Sequence, residues 1–209
     1  MLLKHNILKI HILKAITWFM LAMPIIVLFF QENNLTLTEI MLLQSIYSFS
    51  VALFEIPSGY IADIFGRKKT ITLSTILTFI GYLLFSYYNG FYEFAFAEIL
   101  LGIGASLMSG SDSAMLYDTL IETGNKKNYT KIEGKNYAIG NFSEAIAGIL
   151  GGLLATISIF LPIYVQTFIL FFSIPIALSL IEPKININDK LEKSFYTILK
   201  ILKFTMIEN

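Results

Sequence analysis

Long apolar runs separated by short polar segments are the dominant pattern of this chain. A helix that crosses a membrane needs about 20 mostly apolar residues, and runs of that length recur along the sequence. Residues 136–181 form a run too long for one such helix, so we predict a break near residues 158–162. The pattern predicts six spans, over residues 15–30, 40–62, 70–88, 91–118, 136–157 and 162–181.

The segments outside the spans complete the predicted organisation. Residues 1–14 are short, basic and amphipathic, and we expect them to lie at the membrane interface. Residues 182–209 form a polar tail or linker. Within the first span, Pro24 is expected to bend the helix, and we assign Trp18 to packing or lipid contact rather than to ligand binding. The fold class that follows is an all-α integral membrane protein.

Composition supports this class and excludes others. Of the 209 residues, 56% are hydrophobic and only 14% are charged, whereas about a quarter of a soluble domain is charged. The net charge is zero, which gives no basic face for nucleic acid. There is no cysteine, and both histidines lie near the start of the chain. We therefore expect no metal site and no cofactor, and the absence of a nucleophile–base set argues against an enzyme.

Basic residues are confined to alternate segments of the predicted topology, namely the N-terminus, the second loop, the fourth loop and the tail. They are Lys4, Lys9, Lys14, Arg67, Lys68, Lys69, Lys126, Lys127, Lys131, Lys135, Lys184, Lys190, Lys193, Lys200 and Lys203. Lysine and arginine mark the cytoplasmic side of a membrane protein. The pattern predicts a multi-pass protein of the cell membrane with both termini in the cytoplasm.

The segment EIPSGYIADIFGRKK ends the second span at this basic side. Glu55, Gly59 and Asp63 recur every four residues, so they lie along one side of a helix. Gly59 lets another backbone come close, as small residues do where membrane helices pack. Gly66 tolerates a left-handed helix end. The three basic residues that follow hold the turn on the cytoplasmic side.

The residues Gly59-x-x-x-Asp63-x-x-Gly66-Arg67-Lys68-Lys69 resemble the loop signature between the second and third helices of the major facilitator superfamily. This resemblance implies one six-helix half of a two-half transporter. Residues 55–59 and 109–120 are similar to a branch that includes bacterial drug exporters. The resemblance to the superfamily further implies that Asp63 meets the N-terminus of a helix in the other half, and that Arg67 pairs with Asp118. Such contacts would latch the outward-open state.

Acidic residues inside spans are costly and mark functional candidates. In the fourth span Glu98, Ser109 and Asp112 share one narrow face with small residues, and Glu144 begins a similar face in the fifth span. Glu55 is a further candidate. Two interpretations are open: close helix packing with the acids reaching water, or the wall of a wet substrate or proton pathway. For Glu98 packing is favoured.

The functional hypothesis is the N-terminal half of a secondary-active transporter that exports a small organic solute by alternating access. Its partners would be the lipid bilayer, the solute and a second six-helix half, from another chain or from a second copy. One alternative is an inactive, truncated transporter fragment. Another is a structural or regulatory membrane subunit.

Overall fold

The computed structural model describes residues 2–184, in which helices are joined by short turns and no strand occurs. The predicted tail beyond residue 184 lies outside the described residues. In chain order the α-helices are α1 (His5–Thr17), α2 (Ile26–Glu32), α3 (Leu37–Phe65), α4 (Arg67–Tyr87), α5 (Phe91–Glu122), α6 (Tyr129–Ala155), α7 (Leu161–Phe171) and α8 (Ser173–Leu178).

Five helical segments of the described chain are long and apolar enough to cross a membrane, and they occupy the last five predicted spans. They are Leu37–Phe65, Arg67–Tyr87, Phe91–Glu122, Lys126–Ala155 and Leu161–Leu178. The turn between α6 and α7 coincides with the break predicted near residues 158–162. Helix α6 begins at Tyr129, before its apolar run. It can extend beyond that run because its backbone hydrogen bonds lie within the helix and form in water as well as in lipid.

The first predicted span, residues 15–30, is not a continuous helix. Helix α1 ends at Thr17, an irregular segment follows, and a 3₁₀ turn over Met23–Ile25 leads into α2. Pro24 lacks the N–H that a helix requires, but the interruption begins earlier, at Trp18. A sixth membrane-spanning helix therefore stays a prediction.

The N-terminal segment packs against the bundle through one side of α1, and its place at the membrane interface stays a prediction. Residues 5–14 belong to α1, and Ile10 and Leu13 on its inner side are 1% and 3% exposed. They pack with residues of α4 and α5 such as Ile71 and Met115. The spacing of three between these apolar residues gives the short basic helix a core-facing side.

Residues of α6 and α7 contact the interrupted backbone between α1 and α2. A Cβ at Gly151 would overlap the carbonyl oxygen of Leu21 and lie 3.0 Å from its carbonyl carbon. The backbone N–H of Leu21 donates a hydrogen bond to Oε1 of the buried Gln166, at 2.7 Å. The same nitrogen also lies 3.2 Å from the carbonyl oxygen of Phe19. A backbone N–H without an acceptor costs several kcal/mol in an apolar surrounding, and Gln166 supplies the shorter of the two contacts here.

Small residues place α5 between α3 and α4. A Cβ at Gly102 would lie 2.6 Å from Cβ of Ser50 in α3, and one at Gly104 would lie 3.2 Å from the carbonyl oxygen of Ser74 in α4. The Ser74 hydroxyl donates to the carbonyl oxygen of Gly104 at 2.6 Å. The close approach of these backbones turns one face of α5 toward the interior of the bundle.

Aromatic packing closes the end of the bundle away from the basic loops. Phe29, Phe30, Phe85 and Phe94 are each at most 3% exposed. Their ring centroids lie 5.3 to 6.1 Å apart in tilted or edge-to-face arrangements. Such pairs add about 0.5–1.5 kcal/mol each to the burial of the rings. This cluster joins α2 to α4 and α5.

Glu182, just after α8, ties the end of the described chain to the start of α4. Its two carboxylate oxygens accept hydrogen bonds from the backbone N–H groups of Arg67 and Lys68, each at 2.7 Å. Gly66, with φ of +95°, turns the chain from α3 into α4 at this point. The first N–H groups of a helix have no partner inside the helix, and a carboxylate there is also favoured by the helix dipole.

We expect Gly151→Ala to lower the stability of the folded chain by about 2 kcal/mol or more, because the added methyl group displaces the Leu21 backbone. Gly148→Ala is the matched control, since a Cβ there meets no described heavy atom within 4 Å. It should be neutral or stabilising by up to about 1 kcal/mol. Circular dichroism melts in detergent compare the two Tm values, and equal values would contradict the packing described.

We expect Glu182→Ala to destabilise the chain by about 1–2 kcal/mol, because α4 loses a cap that satisfies two N–H groups. The control is Glu32→Ala, at the exposed last residue of α2, which should change stability by less than about 0.5 kcal/mol. The measurement is again the Tm in detergent. If Glu182→Ala and Glu32→Ala have the same Tm, the Glu182 cap does not contribute to the stability of the folded chain.

Candidate functional site

The signature residues form an ion cluster at the basic end of the bundle. Nη2 of Arg67 lies 2.6 Å from Oδ1 of Asp63, which precedes Arg67 by four residues in the chain. Nε of Arg67 lies 3.8 Å from Oδ2 of Asp118 in α5. The pairing of Arg67 with Asp118 was expected from the resemblance, and the structure has the two groups at ion-pair distance. The cluster therefore joins the α3–α4 turn to α5.

The other signature residues lie apart from this cluster. Glu55 and Gly59 are exposed on α3, and a Cβ at Gly59 would meet no described heavy atom within 4 Å. The close backbone approach expected at Gly59 is thus not made by any described part of the chain. Lys68 contributes its backbone N–H to Glu182. The side of α3 that carries Glu55 and Gly59 is left open to lipid or to a partner.

A cavity of about 600 Å³ lies inside the bundle. The four residues proposed for a substrate or proton pathway all line it: Glu98, Ser109 and Asp112 from α5, and Glu144 from α6. Glu98, for which close packing was favoured, is 5% exposed and faces this same space. All four residues therefore line the same cavity. Their roles in transport stay predictions.

An ion pair joins α1 to α5 at the cavity wall. Nζ of Lys14 lies 2.9 Å from Oδ2 of Asp112, and the two side chains are 11% and 9% exposed. The other carboxylate oxygen of Asp112 accepts the backbone N–H of Ser113 at 2.7 Å, which holds the carboxylate in place. Removing one partner of a buried pair typically costs about 3–5 kcal/mol, because a charge is left buried alone.

Two aromatic rings surround the same ammonium group. Nζ of Lys14 lies 4.7 Å from the ring centroid of Trp18 and 5.2 Å from that of Tyr137. The two rings meet edge to face, with centroids 6.5 Å apart. Trp18 can lie this close to α6 because residue 140 is glycine, where a Cβ would be 2.9 Å from Cδ2 of the ring. Three helices thus contribute to one cation-binding arrangement.

Polar contacts between α6 and its neighbours continue from the ion pair toward the basic end. Nδ1 of His11 lies 3.1 Å from Oδ1 of Asn136, and both residues are buried. The Ser113 hydroxyl donates to Oε1 of Glu133 at 2.6 Å. These two contacts connect α6 to α1 and to α5. Their rupture would be needed for these helices to separate at this end.

Sequence reasoning missed several residues of the cavity wall. Lys14 was treated as an interfacial charge and Trp18 as a packing residue, although their spacing of four places both on one side of α1 and its end. Gln44, Tyr137 and Gln166 also line the cavity. Polar residues inside apolar runs were a usable signal for the two glutamines. No local signal connects Tyr137 to Lys14, because the contact depends on how α6 packs.

The arrangement can bind a small molecule through charge, aromatic faces and amides, but it holds no recognisable reaction centre. Among residues 2–184, no group of three or more His, Asp or Glu side chains is placed to hold a metal ion. A volume of about 600 Å³ falls within the range of about 300–1,000 Å³ that is usual for ligand pockets. The chemistry available is recognition and release.

Comparison with known proteins agrees with this arrangement. The family model described as Major Facilitator Superfamily matches residues 10–205. The chain is 31% identical over 103 residues to an uncharacterized transporter of Buchnera aphidicola subsp. Acyrthosiphon pisum, and 33% identical over 94 residues to one of subsp. Schizaphis graminum. These matches cover 49% and 45% of this chain. They span 26% and 23%, about a quarter, of the relatives' own length.

The family match extends over nearly the whole chain, through the broken first segment, the signature turn and the cavity-lining helices. The apolar helices and this match together make the chain a multi-pass membrane protein of a transport family rather than an enzyme. The chain belongs to the Major Facilitator Superfamily.

Proposed function

We propose that this chain is the N-terminal six-helix half of a secondary-active transporter, and that it exports a small organic solute by alternating access. The observation that carries the proposal is the cavity whose wall combines Lys14, Asp112, Glu98 and Glu144. Charged groups are retained inside a membrane protein where they bind or conduct a solute. Transporters of this kind bind their substrate between two halves near the middle of the membrane.

The exposure of two helices supports a second half as partner. In the apolar parts of α3 and of the α6 span only 17% of the residues are buried, against 44% in α5. Helix α6 also contributes to the cavity wall, so a partner packed against it would complete the enclosure of a solute. We propose that the second half comes from another chain or from a second copy of this one.

The proposed orientation rests on the distribution of the basic residues along the sequence. All fifteen fall before the first predicted span, between the second and third, between the fourth and fifth, or after the sixth, and such residues mark the cytoplasmic side. We place both termini in the cytoplasm and the chain in the cell membrane. In this orientation the Asp63–Arg67–Asp118 cluster is cytoplasmic, where it would latch the transporter in its outward-open state.

The latch has a simple physical basis. Asp63 is 22% exposed at the edge of the bundle while one of its oxygens contacts Arg67. A carboxylate in that position is favoured at the positive N-terminal end of a helix in the second half. Rocking of the halves would separate the carboxylate from that helix end, and Arg67 would then hold it alone. The equilibrium between the two states would depend on this contact.

Solute movement tests the proposal. The purified chain is reconstituted in liposomes loaded with benzyltrimethylammonium, benzoate or benzyl alcohol, and release is compared with that from protein-free liposomes. We expect accelerated release of at least one solute, and a homogeneous dimer by light scattering corrected for detergent. A dimeric sample that accelerates none of the three would contradict transport by two copies of this chain. A solely monomeric sample would contradict self-pairing.

We predict that Asp63→Asn lowers the initial rate of solute release by about fivefold or more, because coupling contacts of this kind are typically worth about 1–3 kcal/mol. The amount of chain in the membrane should not change, since Asp63 lies at the edge of the bundle. Glu32→Gln, at the opposite end, is the control and should keep the full rate. Unchanged release by Asp63→Asn would exclude the latch.

We predict that Glu144→Gln abolishes any dependence of the release rate on pH, because a neutral amide cannot take up or release a proton. Glu98→Gln is the comparison, since Glu98 lines the same cavity. The rate is measured with equal pH on both sides of the membrane. If the pH dependence survives in Glu144→Gln, Glu144 is not the coupling acid.

A further inference from the structure

The ammonium group of Lys14 occupies a position built for a cation. One carboxylate oxygen of Asp112 lies 2.9 Å from it, and the ring centroids of Trp18 and Tyr137 lie 4.7 and 5.2 Å away. A carboxylate together with aromatic faces within about 6 Å is the combination by which proteins recognise organic ammonium groups. All four residues line the 600 Å³ cavity, so a solute could reach the same position.

We infer that Asp112, Trp18 and Tyr137 form a binding site for a monovalent organic cation, and that Lys14 occupies it as a tethered competitor when no solute is bound. The inference rests on the proposed transport function for calling the bound cation a substrate. A protonated or quaternary amine would displace the Lys14 ammonium from Asp112. On release of the solute, Lys14 would return and neutralise the carboxylate.

The two partners of the ion pair differ in their freedom to move, and this difference decides whether the site favours a cation or an anion. Asp112 has a short side chain, and its second oxygen already accepts the N–H of Ser113 at 2.7 Å. Lys14 carries its charge on a flexible four-carbon stem, and Glu144 on the same cavity wall offers another carboxylate. A cation can therefore displace Lys14, whereas an anion would have to leave Asp112 buried without a partner.

The charge of the cavity wall also favours a cation over an anion as the ligand. Among the described residues that line it, two carboxylates, Asp112 and Glu144, stand against the one ammonium of Lys14, even without the buried Glu98. A cleft with an excess of one charge raises the local concentration of the opposite ion. The aromatic rings beside Asp112 add an attraction that an anion would not have, since ring faces are negative.

The structure supplies its own reporter for the test, because Trp18 is the only tryptophan of the chain. The full chain in lipid nanodiscs is titrated with benzyltrimethylammonium, benzoate and benzyl alcohol while Trp18 fluorescence is recorded. We expect a saturable change with the cation, at an affinity about tenfold or more above that for benzyl alcohol. Benzoate should cause no saturable change.

Two variants of the ion pair should change the affinity in opposite directions. Lys14→Met keeps an apolar stem but removes the competitor, so the cation should bind about tenfold more tightly. Asp112→Asn removes the counter-charge and should weaken binding about tenfold or more. Lys9→Met, on the same helix but outside the cavity wall, is the matched control and should bind like the unaltered chain. A pair with only a structural role would weaken binding in both variants.

A third variant keeps the test decisive if Lys14→Met does not fold. Tyr137→Leu removes one ring while it leaves the ion pair in place, and Tyr137 is 51% exposed, so the fold should tolerate the change. We expect the affinity for benzyltrimethylammonium to fall several-fold, and the weak binding of benzyl alcohol to change less. Equal losses for both probes would contradict a cation–ring contact.

The remaining outcomes separate this inference from the transport proposal. Tighter binding of benzoate than of the cation, or equal binding of all three probes, would overturn the cation site. Cation binding by a dimeric sample without any release from liposomes would leave the site in place and contradict transport by two copies of this chain. Release of benzoate or benzyl alcohol by a chain that does not bind the cation would retain the transport function and overturn the site.

Discussion

The backbone interruption between α1 and α2 is the feature on which the rest of the bundle depends. In an apolar surrounding every backbone N–H and C=O needs a partner, so a broken helix survives only where neighbouring elements supply one. Gln166 accepts the freed N–H of Leu21, and Gly151 leaves the space that the irregular backbone fills. Trp18, the first residue after α1, lies four residues beyond Lys14, so its ring reaches the Lys14 ammonium at the cavity.

The ion pair of Lys14 and Asp112 connects this backbone feature to the proposed function. A buried pair is a weak source of net stability, because the cost of desolvating two charges offsets most of their attraction. Its retention at the wall of a cavity is easier to understand as a switch. In the proposed site, Lys14 and Asp112 neutralise each other when no solute is bound, and a cationic ligand would take the place of the Lys14 ammonium.

The basic end of the bundle is organised by similar means, with Asp118 buried and with Arg67 and Asp63 partly exposed. Arg67 lies between two carboxylates, and Glu182 satisfies the first N–H groups of α4 beside it. These contacts bring α3, α4, α5 and the end of the described chain together within one turn. Arg67 and Asp63 are 14% and 22% exposed, so water can reach these two charges when the proposed conformational change separates them.

The sequence by itself determined the membrane class, five of the helices and the signature turn, because these depend on local properties: the length of apolar runs, the position of glycine and the confinement of basic residues to alternate segments. It also identified Glu98, Ser109, Asp112 and Glu144, since charge and helical periodicity are readable within one span. The course of the first apolar stretch was decided by packing, because Gly151 and Gln166 lie far along the chain from Leu21. Only the tertiary structure joined Lys14 to Asp112, 98 residues later, and set both against Trp18 and Tyr137, because contacts between separate helices depend on how their backbones approach one another.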